Sequence, residues 1–231
     1  MSEAWTLTVT APADDLQLLT PEELRAAAGL EPGDTSQDAT LATTGLQVAA
    51  ALAGACGIAK AGYDASLAPL RGEAPVTLKA ETLSQTFRIW SGNQNRKLLL
   101  ARWPVLSIIS VTTDATDLVP ADWDLDIPEG SITRISGYST LAWPVGRITV
   151  QYDAGYDDPV PVDLRGYASR LVSLYHQTTG AGAGDPSVRR VEVPGVITLE
   201  RWVDTTTTDI LVPEDIQAGL QRDGYRRVLA W

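Results

Sequence analysis

The feature that most constrains the fold is a run of short alternating segments within residues 100–158. Four segments have the pattern of short strands, residues 105–111, 122–127, 132–135 and 148–152, and apolar and polar residues alternate most clearly in residues 122–127 and 148–152. A period of two is typical of strands that bury one face, and turn residues separate these segments at short intervals. The pattern predicts an antiparallel sheet. Because residues 105–111 are apolar on both faces, we expect that segment to be a central strand.

Helical signals dominate the chain before this region. Residues 5–9 alternate and predict a short extended arm. Thr20, Pro21 and Glu23 then form the signature of a capping box, and Gly29 predicts the end of the helix that they start. A second, Ala-rich helix is predicted to begin near Asp34 or Ser36, and its apolar stripe consists mostly of small residues that let a neighbouring element approach closely.

A second helical part follows the alternating region. Pro161 predicts the start of a helix, which ends before a glycine-rich loop at residues 180–186. A small hairpin with a Pro194-Gly195 turn comes next, then a linker at residues 205–208, and Pro213 opens a last short helix. No internal repeat is present in the sequence.

These elements predict an α+β fold. We expect an α-helical bundle with a small antiparallel β-domain inserted between its helices, followed by an extended C-terminal arm. The predicted boundaries assign residues 1–75 to the N-terminal helical part of the bundle and residues 76–158 to the inserted β-domain. Residues 159–204 supply a helix and a hairpin that complete the bundle, and residues 205–231 form a C-terminal helix and arm.

Composition excludes several classes of function. The chain has 231 residues, enough for a substantial core, and its formal net charge of −11 repels phosphate backbones and disfavours unspecific nucleic-acid binding. One cysteine, Cys56, and one histidine, His176, exclude an internal disulfide and metal sites built on several thiolates or imidazoles. We expect Cys56 to be a small buried apolar residue. We predict no metal, no cofactor, no signal peptide and no membrane span.

One acidic cluster has the spacing of the start of a calcium loop. Asp122, Asp124 and Asp126 alternate along the chain, but Ile127 and Thr133 stand where such a loop needs glycine and glutamate. Alternation with apolar residues instead predicts the solvated face of a strand. A second acidic cluster lies on a predicted loop and comprises Asp153, Asp157 and Asp158. A weak surface cation site is the alternative to an ordinary solvated loop there.

No catalytic constellation is evident in the sequence. His176 lies near Ser173 and Tyr175 on the last turn of a predicted helix, whereas a nucleophile, a base and an orienting acid must converge from separate parts of a fold. The glycine-rich loop at residues 180–184 lacks the lysine and the strand–loop–helix context of a phosphate loop. We therefore predict that the protein is not an enzyme.

The C-terminal tail differs from the rest of this acidic chain. Trp231 is the last residue of the sequence, and Arg226 and Arg227 precede it closely. Tryptophan and arginine are enriched at protein interfaces, so the composition predicts a binding tail. The alternative is a frayed terminus without a role.

Several motifs occur in a characteristic order. A Pro-Val-x-Ser-Ile-x-Ser-Val pattern begins at Pro104, Val-x-Tyr-x-Ala-Gly-Tyr spans residues 150–156, and Val-Pro-x-Asp-Leu follows at residues 160–164. Together with the helix start at Thr20, they resemble the head–tail connector (adaptor) family of tailed bacteriophages and gene transfer agents over most of residues 15–231. The loop at residues 180–186 departs from the family, whose members often carry a charged helix end there.

The resemblance implies a structural protein of the virion neck, assembled in the bacterial host cytoplasm. It implies a ring of identical subunits, commonly dodecameric, that sits beneath the portal protein and joins the capsid to the tail. On the tail side the partner would be a connector, stopper or tail terminator protein. DNA would pass through the lumen without specific binding, and a lumen lined with carboxylates would let it slide.

The resemblance also implies that the C-terminal segment, residues 213–231, docks into the portal. The residues expected to make this contact are Ile216, Leu220, Tyr225, Arg226, Arg227, Val228, Leu229 and Trp231. The alternative function is a non-catalytic β-rich module of a virion that binds a ligand or glycan through exposed tryptophans. A hydrolase that uses paired carboxylates is a third hypothesis, which no residue spacing supports.

Overall fold

The computed structural model describes residues 4–63, 73–90, 96–114, 116–179, 190–193, 197–200 and 212–226. Its helices are α1 (Pro21–Ala27), α2 (Asp38–Ala55), α3 (Val162–Thr179) and α4 (Glu214–Arg222). Its strands are β1 (Ala4–Ala11), β2 (Gly62–Tyr63), β3 (Glu81–Ile89), β4 (Lys97–Leu99), β5 (Val105–Thr113), β6 (Asp117–Leu118), β7 (Trp123–Asp126), β8 (Ser131–Ser136), β9 (Ser139–Leu141), β10 (Gly146–Ala154), β11 (Arg190–Val193) and β12 (Ile197–Glu200). The predicted α+β class is confirmed.

The strands form two main sheets and a separate hairpin. The larger sheet has the order β2-β1-β3-β10-β5-β6, and its pairs are antiparallel except β1 with β2. The smaller sheet has the order β4-β8-β7, with β9 also paired to β8. Strands β11 and β12 pair with each other in the predicted hairpin, whose turn lies outside the described residues.

The described residues form two apolar clusters. The first lies on the inner faces of the two sheets, where Phe87, Tyr152 and Ile148 of the larger sheet are buried with Leu98 and Ile132 of the smaller one. The second is formed mainly by the helices and includes Leu24 of α1, Leu41 and Leu52 of α2, Leu164 and Leu171 of α3, and Ile216 and Leu220 of α4. Burying a leucine or isoleucine side chain contributes about 1.5–3 kcal/mol, so each cluster is a substantial core.

The start of α1 matches its prediction. The Thr20 hydroxyl accepts a hydrogen bond from the Glu23 amide at 3.2 Å, and the Glu23 carboxylate accepts one from the Thr20 amide at 2.9 Å. Helix α2 begins at Asp38, a few residues later than predicted. Asp34 explains the delay, because its carboxylate accepts hydrogen bonds from the amide and hydroxyl of Ser36 and so holds a turn.

Two expectations about the sheet need correction. Strand β5 is not central, because β6 covers only Val111 and Thr112 on its outer side. Two irregularities in its pairing with β10 leave Leu106 and Ile109 without opposing residues, and both side chains are exposed. The N-terminal arm is extended as expected, but it pairs along most of β3, so residues 1–75 contribute a strand of the sheet as well as helices.

A buried junction joins the two clusters. The guanidinium of Arg102 donates from Nη1 to the Glu81 carboxylate and to the Thr77 carbonyl, each at 3.3 Å. The next residue, Trp103, packs edge-on against Tyr156, with ring centroids 6.5 Å apart. The connection from β4 to β5 therefore lies where the two clusters meet, since Leu100 and Ala101 belong to the first cluster and Trp103 packs against the second.

Candidate functional site

Helix α4 lies against the chain's own helical core. Ile216 and Leu220 are fully buried, and Gly219 faces the ring of Tyr167 so closely that a Cβ there would overlap it. The portal contact of Ile216 and Leu220 stays a prediction. In this structure their side chains hold α4 on the core, and a partner cannot reach them unless the helix moves.

Polar contacts at the surface also hold this helix. The Tyr167 hydroxyl donates to the Asp223 carboxylate at 2.6 Å, and this hydrogen bond raises the pKa of Tyr167. Arg170 of α3 forms an ion pair with Asp215 of α4. Exposed pairs of this kind contribute little energy, so the apolar face of α4 supplies most of its attachment.

Tyr225 is the first predicted contact residue after α4, and its own contacts hold it in place. The amide of Tyr225 donates to the Leu220 carbonyl at 2.8 Å, and Gly224 takes a positive φ of 79° that lets the chain turn away from the helix. The Tyr225 ring packs edge-on against Tyr156, with centroids 6.1 Å apart. Arg226 is exposed. The other predicted contact residues lie outside the described residues, and they are Arg227, Val228, Leu229 and Trp231.

A cleft of about 510 Å³ opens beside the starts of α1 and α2. Leu18, Leu19 and Leu41 contribute apolar surface to it. Two cations also line it, and both are paired: Lys79 with Asp158 at 2.5 Å, and Arg165 with Glu23 at 2.8 Å. Because both of these cations are already paired, neither is free to bind an anionic ligand.

The acidic clusters have ordinary structural roles. Asp124 and Asp126 lie on the exposed face of β7, in alternation with the half-buried Trp123 and Leu125, as the strand interpretation predicts. Asp153 accepts hydrogen bonds from Thr82 and from Ser107, each at 2.8 Å. Within the described parts of the chain, no three acidic, histidine or cysteine side chains are placed to hold a metal ion.

The single cysteine and the single histidine do not form a reactive site. Cys56 is completely buried, and burial raises the pKa of its thiol to about 12. Such a thiol is not ionised at neutral pH and is a poor nucleophile. His176 is half-buried on the last turn of α3, and the Ser173 hydroxyl there accepts a hydrogen bond from Gln177.

The tryptophans of the β region do not form a binding platform. Trp143 is buried, Trp103 and Trp123 are half-buried, and Trp90 is 53% exposed. A glycan site of stacked exposed indoles therefore finds little support. A different aromatic residue, Tyr138, is fully exposed and was not predicted. Its signal in the sequence is an aromatic side chain in the short Gly-Tyr turn between two strands.

The helices of the described residues fall short of a bilayer span. None of them combines the length and the apolar composition that crossing a membrane requires. Helix α2 is the most apolar long helix, and its 18 residues include several threonines and glycines.

The chain is thus an α+β protein with a sheet core and a helical core, and solved structures share this fold. No protein-family model and no curated protein matches the chain. One similar chain belongs to the neck of an empty gene transfer agent (GTA) particle computed with C6 symmetry, with 18% identity and a TM-score of 0.57 over 98% of this chain and 97% of that one. Another belongs to the virion of a native GTA particle, with 18% identity and a TM-score of 0.53 over 97% of both chains. The resemblance found in the sequence is confirmed at the level of the fold.

Proposed function

We propose that the protein is a structural component of the neck of a gene transfer agent or tailed phage particle. The observation that carries this proposal is the shared fold, which extends over nearly the whole of both this chain and the neck chain. An isolated shared domain would have left part of one chain unmatched. The proposed role is that of a head–tail connector without catalytic activity, located in the virion.

The proposed assembly is a homo-oligomeric ring beneath the portal, dodecameric in the particle. The cyclic symmetry used for the neck of the similar particle supports a ring. The charge of the chain supports a passive lumen, since a net charge of −11 per subunit disfavours adhesion of DNA. A neck reconstruction that shows a basic lumen would contradict this part of the proposal.

The proposed portal contact is the segment that follows Tyr225. Its start is fixed by the packing of Tyr225 against Tyr156, and the described Arg226 is exposed. The remaining residues combine one more arginine with apolar side chains, Arg227 through Trp231. Such a composition suits insertion into an apolar groove with acidic groups at its rim.

The structure changes how this contact should be tested. Deleting residues 213–231 would remove Ile216 and Leu220 from the core and would unfold part of the helical cluster. Deleting only residues 227–231 leaves both of them in place. We expect the shortened protein to keep the unfolding midpoint of the full chain and to lose binding to purified portal rings, measured by biolayer interferometry.

A matched control is the exposed pair at the other end of α4. Replacing Asp215 by asparagine removes the exposed ion pair with Arg170, which should leave portal binding unchanged. Portal binding of normal affinity by the chain without residues 227–231 would refute the docking assignment. Failure of the full chain to bind portal rings or to occur in purified particles would refute the proposed function itself.

A further inference from the structure

One end of the β region lies far from the helices and is identified by strand register. Strands β3 and β10 pair from Glu81 with Ala154, beside the junction, to Ile89 with Gly146 at the other end. Trp90 follows Ile89 directly, and Val145 directly precedes Gly146. Both side chains are more than half exposed, so they place apolar surface at the end of the sheet opposite the helical core.

The hairpin of β8 and β9 in the smaller sheet lies toward the same end of the β region. Strand β8 starts beside Leu99, close to the junction, and continues past the pairing of Lys97 with Thr133 before it turns. Gly137 has a φ of 59° at the first central position of the two-residue turn, the position that a type II′ turn reserves for glycine. The second position, Tyr138, is fully exposed, and this turn type does not require an aromatic residue there.

Two arginines lie next to these apolar side chains. Arg88 and Arg147 stand directly opposite each other in β3 and β10, an arrangement in which like charges repel. The Arg88 guanidinium lies 4.4 Å from the centre of the Trp90 ring. Neither arginine has an acidic side chain within salt-bridge distance among the described residues. In a chain with net charge −11, two adjacent arginines without such partners mark an unusual surface.

We propose that this surface, the distal patch of Arg88, Trp90, Tyr138, Val145 and Arg147, binds a separate protein of the neck on the tail side. The chemistry predicts a partner surface with apolar pockets for the two aromatic rings and carboxylates for the two arginines. This inference rests on the proposed function, which assigns the C-terminal segment to the portal. Neighbouring copies in a ring contact each other through their sides. The end of the subunit that carries the distal patch therefore stays free to contact a different protein.

A protein partner fits the patch better than DNA. Binding to a duplex needs several phosphates to be neutralised, and the patch has two arginines. Asp114 also lies beside it, where its carboxylate accepts a hydrogen bond from the Arg147 amide at 2.7 Å. Exposed tryptophan and tyrosine together with arginine are instead the composition of protein–protein hot spots.

The test uses particles made in cells that lack the native gene and carry the double variant Trp90→Ser and Tyr138→Ser. Heads are purified, immunoblotted for this protein and scored for attached tails by negative-stain electron microscopy. We expect the variant protein at the wild-type level in heads and at least about a tenfold loss of attached tails, because two hot-spot rings are removed. Arg147→Glu should cause a loss in the same direction.

Two controls separate the patch from general damage. Tyr138→Phe keeps the aromatic ring and should preserve tails. Ile127→Ser replaces an exposed apolar residue that follows β7, at the end of the smaller sheet nearer the helices, and should also preserve them. Circular dichroism of the purified variants should show unchanged unfolding, since the Trp90 and Tyr138 side chains are exposed.

Three outcomes would overturn the inference. The first is the wild-type frequency of tails on heads that contain the double variant. The second is loss of the double variant from heads, which would assign the patch to incorporation and not to the tail side. The third is binding of linear duplex DNA by the wild-type protein that the double variant loses, which would make the patch a nucleic-acid surface. Absence of the wild-type protein from heads would refute the proposed function separately.

Discussion

The buried ion pair of Arg102 and Glu81 gives the sharpest test of how the two cores are joined. Their side chains are 3% and 2% exposed, and Nη1 of the arginine lies 3.3 Å from the carboxylate. Burial raises the pKa of Glu81 and lowers the pKa of Arg102, and the attraction between the two charges opposes both shifts. The Nε and Nη2 groups of Arg102 have no hydrogen-bond partner among the described residues, so the pair recovers only part of its desolvation cost.

Replacing Arg102 by methionine removes the cation and keeps a long apolar side chain. Glu81 is then left buried without an opposite charge, and breaking such a pair costs about 3–5 kcal/mol of unfolding free energy. The double variant Arg102→Met and Glu81→Leu buries two apolar side chains instead. We expect it to recover most of the loss, because apolar replacement of a whole buried pair is often neutral or stabilising.

The cost of Arg102→Met should also depend on pH. The folded-state pKa of Glu81 already lies above its ordinary value of 4.5, and removing the cation raises it further. A carboxyl whose pKa is higher in the folded state than in the unfolded state adds to the unfolding free energy at low pH, where it is protonated. This contribution is lost as pH rises through the folded-state pKa. The variant should therefore be closest to wild type below the ordinary carboxyl pKa and furthest from it near neutral pH.

Urea unfolding followed by circular dichroism at both pH values measures these differences. The wild type, both single variants and the double variant complete a double-mutant cycle. A loss below about 1 kcal/mol for Arg102→Met at neutral pH would refute the reasoning, since that is the cost of an exposed pair. So would a double variant whose loss equals the sum of the single losses.

Three further predictions concern Gly155, Thr20 and Cys56. Gly155 has a φ of 121°, and a Cβ there would overlap the Lys79 backbone, so Gly155→Ala should cost about 2–3 kcal/mol in urea unfolding. The control Gly166→Ala, in open space within α3, should be neutral or stabilising by up to about 1 kcal/mol. Thr20→Ala removes the α1 cap and should lower the unfolding free energy by about 1 kcal/mol in the same assay. Cys56 should react with a thiol reagent only at the rate of unfolding, and fast labelling of the native protein would contradict its burial.

Local signals predicted much of the fold. The capping box at Thr20, the alternation in β10 and the small hairpin of β11 and β12 all depend on residues that are close in sequence. The position of β5 depends instead on which strands flank it, and two apolar faces suggested a central strand. Its bulges at Leu106 and Ile109 leave apolar side chains exposed at the edge, which alternation alone cannot reveal.

The candidate site was harder to predict for a related reason. The apolar stripe of α4 was visible in the sequence, but an amphipathic helix can bury its stripe in its own core or in the groove of a partner. In this structure Ile216 and Leu220 are buried in the chain's own core, and this burial depends on tertiary contacts with α3. The distal patch was missed because Arg88 and Trp90 are far in the chain from Val145 and Arg147, and the two pairs come together only through the register of β3 and β10. Tyr138 belongs to the other sheet, so its place at the same end depends on how the two sheets are arranged.

The motifs that carried the sequence resemblance meet at the junction between the two cores. Arg102 and Trp103 directly precede the first motif, and Tyr152, Gly155 and Tyr156 belong to the second. The Tyr152 hydroxyl donates to Gln85 and accepts from the Arg102 amide, Gly155 permits close approach to the Lys79 carbonyl, and Tyr156 links Trp103 to Tyr225. These residues join the sheet to the helices and fix the start of the C-terminal segment. They therefore specify the fold, which explains why a resemblance built on them identified the architecture and did not identify the surfaces that contact partners.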